Sequence, residues 1–150
     1  MNPDPRSRVQ RRRDVEYRLG HDIDLWVGTA SPDATPHLVP LSFDWDGEAL
    51  LMATAKDTPT ARNLEAGRTV RLALGETRDV VMIEGDVEVL GIDALPRERG
   101  DRFARHTGFD PRAQAMPYHW FRVVPRRIQA WREVNEIPGR ELMRDGRWLV

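Results

Sequence analysis

From Leu25 onward the apolar residues recur in strand-length runs, each closed by a cluster of turn formers, and this punctuation narrows the possible folds sharply. Leu25-Trp26-Val27-Gly28-Thr29-Ala30 stops at Ser31-Pro32-Asp33-Ala34-Thr35. Pro36 to Phe43 then resumes, with Val39, Leu41 and Phe43 alternating against Leu38, Pro40 and Ser42. This is a hairpin. Pro40 has no N–H to give a ladder, so its strand is expected to lie at an edge or to be interrupted there, leaving neighbouring backbone groups for a planar, hydrogen-bonding ligand. After the turn Asp44-Trp45-Asp46-Gly47, Ala49 to Thr54 makes a further strand. Thr69 to Leu74 alternates cleanly, and Val80 to Leu90 is a long strand in which Gly85 marks a bulge or a barrel corner. Tyr118 to Val124 and Ile128 to Val134 read as one strand bent at Pro125. Arg140 to Val150 is a terminal hairpin around Asp145-Gly146, a pair suited to a type I′ turn.

Helices are few and short. One is expected around Asp14 to Leu19. A second opens at Thr58-Pro59, a hydroxyl N-cap followed by proline at the first helical position, and ends at Gly67 in the left-handed conformation. A third, charged helix starts at Leu95-Pro96, runs to about Thr107 and is stopped by Gly108. Six or seven strands in up-and-down order with two or three short helices predict a mainly β (α+β) domain, a small barrel rather than a parallel sheet.

At 150 residues the chain makes one domain, 1–150, in which the arginine-rich residues 1–13 are expected to form a flexible, solvated arm. A formal net charge of -1 argues against broad attraction to nucleic acid or anionic membrane. No apolar run approaches a membrane span, and the N-terminus lacks the apolar region of a secretory signal, so a cytoplasmic location is the default expectation. The absence of cysteine excludes disulfides, thiolate chemistry and Cys-ligated metals. His21, His37, His106 and His119 are scattered without metal-ligand spacing, and no glycine-flanked serine elbow exists. Asp22/Asp24 and Asp44/Asp46 read as turn residues and solvated faces.

The stretch from Leu50 to Leu64 carries the strongest local chemistry. A strand ends at Thr54, and a polar turn leads into the helix at Thr58. Free N–H groups and the positive end of the helix dipole there suit an anion, with three hydroxyls, Lys56 and Arg62 in reach. Lys56 is the only lysine in the chain. The same local signal describes an ordinary capped helix, which is far commoner than a phosphate site.

The order of these pieces, hairpin, strand, Thr58-Pro59-Thr60-Ala61-Arg62-Asn63-Leu64, two strands, helix, then Tyr118-His119-Trp120-Phe121-Arg122-Val123 and Ile128-Gln129-Ala130-Trp131, resembles the pyridoxamine 5′-phosphate oxidase-like family of split β-barrels that bind FMN or the deazaflavin coenzyme F420. The resemblance spans roughly residues 15 to 150. It implies a split barrel of six to seven antiparallel strands, built as a homodimer. It also implies that the strand from His37 through Leu38 and Val39 to Ser42 runs along the isoalloxazine, and that Ala53 and Thr54 meet the ring and ribityl chain. Thr58, Pro59 and Thr60 match the family's phosphate-binding turn, and Trp131 would reach the cofactor of the partner subunit; from the residues themselves, Lys56, Arg62 and Asn63 join the cofactor-binding candidates at that turn. Where the oxidases proper set basic residues against the FMN phosphate, this chain has His37, Ser42, Pro59 and Thr60, and its terminal hairpin lacks their arginine and histidine pattern. Pyridoxamine phosphate is therefore not the expected substrate. A deazaflavin, whose phosphate diester carries one charge, suits the reduced positive charge better than FMN.

The expected activity is hydride exchange between such a cofactor and a small conjugated substrate. The cofactor carries that chemistry, so no acid–base pair need stand out. His37, Trp45 and Tyr118 are the substrate-side candidates. The alternative is a protein of the same fold that sequesters a flavin, F420 or haem without turnover. No metal, nucleic-acid or membrane role is expected.

Overall fold

The computed structural model describes residues 2–150. Eight strands, β1 (Asp24–Ala30), β2 (Pro36–Trp45), β3 (Leu50–Ala55), β4 (Thr69–Leu74), β5 (Val80–Gly91), β6 (Tyr118–Trp131), β7 (Glu141–Arg144) and β8 (Arg147–Trp148), are joined by helices α1 (Arg8–His21), α2 (Pro59–Gly67) and α3 (Arg97–Thr107). Every pairing is antiparallel. The order is β3-β2-β1-β4-β5-β6-β7-β8, and β3 pairs again with β6, which closes six strands into a barrel. The fold is the mainly β split barrel expected from the strand pattern.

Two departures from regular pairing shape the barrel. Between Glu84 and Gly85 the β5–β6 register shifts, with Glu84 opposite Arg127 and Gly85 opposite Pro125, so the expected features at Gly85 and Pro125 are one bulge. A Cβ at position 85 would lie 2.5 Å from Val123 Cγ1, so only glycine lets the strands close here. The second departure is the split itself. β2 pairs with β3 only from Phe43 to Trp45, whereas β3 pairs with β6 along its whole length. Residues 36–42 of β2 therefore have a partner only on the β1 side.

The direction of that open edge follows from one bond. The Phe43 N–H donates to Ile23 O, and backbone groups alternate sides along a strand, so Leu41, Val39 and His37 face β1. Pro36, Leu38, Pro40 and Ser42 turn theirs outward. Pro40 thus lies at an edge, with its missing N–H on the unpaired side.

The barrel interior is filled from all sides by residues such as Leu25, Val27, Phe43, Leu50, Met52, Leu72, Ile83, Phe121 and Ile128, joined by Val15 and Leu19 of α1 and Ala61 and Leu64 of α2. A second, smaller cluster lies outside the wall, where α3 covers Leu51 and Trp120 with Phe103. The Phe103 and Trp120 rings meet edge to face at 5.1 Å, and Trp120 Nε1 donates to Ile92 O at 3.1 Å.

Three expectations are corrected. The arginine-rich N-terminal segment is docked: α1 starts at Arg8, capped by Ser7, and Arg6, Arg8 and Arg11 bond across to residues 136–141. α2 ends on Arg68, which takes the left-handed conformation (φ 57°) that Gly67 was expected to adopt. Its N–H donates to Leu64 O and its Nε to Glu65 O, which offsets the cost of that conformation. β6 stops at Trp131, and Val134–Glu136 forms a 3-10 turn instead of more strand. The terminal hairpin turns as expected, with Asp145 and Gly146 both at positive φ.

Candidate functional site

Where β2 and β3 part, a groove of about 440 Å³ opens between the free edge of β2, the end of β3 and the C-terminal end of α3. Ser42, Ala53 and Thr54, all expected at a cofactor, line it together with Tyr118, Pro40 and Leu41. Asp24, Phe103 and Phe109 complete it and were missed. Asp24 is exposed, as its reading as a solvated carboxylate implies, and the β1–β2 register sets it opposite Ser42, whose Oγ donates to Asp24 Oδ1 at 2.8 Å. Only that register could have revealed it. Phe109 follows the Gly108 cap of α3 and leans on Tyr118 with ring centroids 5.7 Å apart.

The polar turn adjoins this groove at Thr54, whose Oγ1 lies 3.5 Å from that of Thr58. Thr58 caps α2: its Oγ1 accepts from Ala61 N at 3.1 Å and donates to Ala55 O at 3.0 Å. Thr58 N–H donates to Ala55 O, Arg62 N–H to Thr58 O and Lys56 N–H to Pro117 O, while Pro59 has no N–H. The turn thus satisfies most of its own donors, and positive charge for an anion falls to the exposed side chains Lys56 and Arg62. Arg62 reaches back along the turn, its Nη1 donating to Asp57 O at 2.6 Å. Thr60 and Asn63 are buried. Asn63 Nδ2 donates to Thr29 Oγ1 at 3.1 Å, which ties α2 to β1.

The remaining candidates lie elsewhere. His37 and Leu38 line a larger groove of about 790 Å³ at the other end of β2, with Gly28, Arg71, Glu84 and Asp86. Val39 faces inward and packs on the barrel core. Trp131 ends β6 opposite Val80, half-buried, with the Arg140 guanidinium 5.4 Å from its ring centroid. At about 3.3 Å per residue it stands roughly 40 Å along the strand from His119, which pairs with Thr54. Its own chain does not bring it to the turn. Trp45 packs on the core.

Two further groups went unnoticed in the sequence. His119 Nδ1 and Glu65 Oε1, 2.8 Å apart, join β6 to α2 beside Thr54. Asp44, read as a turn residue, is a buried β2 residue paired with Arg99 of α3 at 2.5 Å. Asp46 is the turn residue. Burial disfavours its charge, but N–H bonds from Ala49 and Glu48, with Arg99 nearby, hold its carboxyl below the usual range. Among the described residues no group of three or more acidic or histidine side chains is placed to hold a metal ion, and no helix is long and apolar enough to cross a membrane.

Comparison with solved structures supports the architecture. A protein described as an F420 reductase is 21% identical with a TM-score of 0.61, the match covering 75% of this chain and 94% of the other. A putative pyridoxamine 5′-phosphate oxidase from Listeria innocua is 16% identical (TM-score 0.63; 82% and 97% covered). HutZ, described as the heme storage protein of Vibrio cholerae, is 16% identical (TM-score 0.59; 79% and 92% covered). No curated protein sequence matches the chain. At these identities the structures speak for the fold alone. The sequence profile described as pyridoxamine 5′-phosphate oxidase matches residues 24–132, and since this span holds every strand of the barrel, the chain belongs to that family.

Proposed function

We propose that this protein is an oxidoreductase that binds a flavin or deazaflavin where the barrel splits and exchanges hydride with a small conjugated substrate. The observation that carries the reading is the continuity of the unpaired β2 edge, the groove at Ala53 and Thr54, and the start of α2 at Thr58. A planar ring needs an open backbone edge, and a phosphate needs hydroxyls and a helix N-terminus. Both stand side by side here.

The residues fit the group in a selective way. Thr54 and Thr58 supply hydroxyl oxygens and Lys56 and Arg62 supply charge, but Thr60 is buried and the turn's own hydrogen bonds consume most of its N–H groups. A monoanionic phosphate diester matches this supply better than a dianionic monoester, which favours the deazaflavin F420 over FMN. The bound group would supply the hydride chemistry. The protein's part is to hold the phosphate with Lys56 and Arg62 beside Thr58, to present the β2 edge to the ring and to shelter the groove with Phe109 and Tyr118. Trp131 of a partner subunit is proposed to complete the cleft in a homodimer.

Absorption titration of the purified protein with F420 and with FMN tests this. The expected result is micromolar or tighter binding of the deazaflavin, with FMN weaker, and a raised melting temperature on binding. A spectrum and melting temperature unmoved by either compound would refute the reading. Binding of either cofactor with no turnover over a panel of conjugated acceptors would leave a sequestering protein.

A further inference from the structure

Positive charge at the proposed cofactor site belongs to the α2 turn, whereas the groove that continues the site along β2 carries a single charged side chain, which is negative. Among the side chains that line the groove, Asp24 is the only one charged at neutral pH. Ser42 Oγ spends its proton on Asp24, so the serine oxygen faces a ligand as an acceptor as well. The backbone repeats the bias. Of the four residues that turn their backbone outward along the open edge, Pro36 and Pro40 have carbonyls but no N–H, and Pro40 lies in the groove itself. The rings of Phe109 and Tyr118, tilted at 52° to each other, line the same groove together with Phe103. Phe109 is fixed there because its N–H donates to Thr107 Oγ1 at 3.2 Å, just past the end of α3.

We propose that this groove selects planar conjugated molecules that carry positive charge or N–H donors, in the manner of an N-alkylated pyridinium, and rejects carboxylates and phosphates. The carboxylate and the carbonyls attract a cation, the aromatic rings in the lining add cation–π attraction, and no cationic side chain lines the groove itself to receive an anion. That such a molecule is the hydride partner rests on the proposed oxidoreductase function. The charge selection itself does not.

Three ring compounds of nearly one size separate the terms: 1-methylnicotinamide (cation), nicotinamide (neutral) and nicotinate (anion). Each is titrated calorimetrically into the full chain free of cofactor, and F420 and FMN binding are measured separately. The cation is expected to bind at least about tenfold more tightly than the anion, with nicotinamide between them. In Asp24→Asn, which keeps an acceptor for Ser42, the ratio should fall to within about threefold while nicotinamide is unchanged. Phe109→Leu should weaken the cation more than the neutral ring. Equal or tighter binding of nicotinate, a charge preference that survives Asp24→Asn, or no binding of any of the three would overturn the proposal. The charge order persisting in a protein that binds no F420 or FMN would uphold this selection and refute the oxidoreductase reading. Cofactor binding without the charge order would do the reverse.

Discussion

Thr58 shows how one residue can make a helix start and at the same time limit what that start can hold. Its hydroxyl serves Ala61 and Ala55, and its neighbour Pro59 offers no donor, so the dipole end of α2 is largely closed by the chain itself. The work of holding a phosphate then shifts to side chains. Arg62→Ala is expected to weaken cofactor binding by about 1 to 3 kcal/mol, the range for a charge-assisted bond, as read by titration of the variant. An unchanged affinity would assign the role to Lys56. Such local features were legible in the sequence because a cap, a proline and a hydroxyl act within four residues of one another. The exposure of Asp24 was legible but its place in the groove was not, because that depends on Ser42 across the strand pair. Asp44 misled for the same reason: at the head of Asp44-Trp45-Asp46-Gly47 it looked like a turn residue, and only the packing of α3 shows it as the buried partner of Arg99.

Among the elements, α1 departs furthest from its sequence reading. Counted as charge, Arg6, Arg8 and Arg11 describe a solvated arm, but each has a partner more than a hundred residues away. Arg11 is buried and donates to Ala130, Glu136 and Pro138 carbonyls, and Arg6 meets Glu136 through its backbone N–H, Nε and Nη2. Those bonds from Arg6, set against the cost of burial, and the N–H of Arg132 pull the Glu136 carboxyl down to about 2. The sign follows from linkage. A depressed carboxylate adds stability above its unfolded pKa, here near 4.5, and loses it as pH falls towards 2. The gain at neutral pH is at most about 3 kcal/mol, so Arg6→Ala should lower the melting temperature at pH 7 and leave a much smaller difference near pH 2.5. Thermal melts of both proteins across that range check this, and a pH-independent difference would show that packing alone is at work.

For the molecule as a whole, the strand pattern disclosed the barrel and Pro40 the free edge, but no local signal says that β3, paired with β6 throughout, will part from β2 after three residue pairs. The outer wall beside the opening carries Trp26 and Leu38, 49% and 64% exposed, on one face with Pro40. A second copy covering that face is the arrangement we propose, with Trp131 reaching the neighbour's cleft. Sedimentation should then show a dimer, and Trp131→Ala should cost about 2 kcal/mol or more in cofactor affinity. A monomer with full affinity would exclude the shared cleft. The prolines of the opening have one more consequence. An unpaired strand edge ordinarily invites a foreign strand to extend the sheet, and chains with such edges polymerise. Along β2 the donors at positions 36 and 40 are gone, so an invading strand would find every second rung broken. The barrel can stay open to a ligand without becoming a template for fibres.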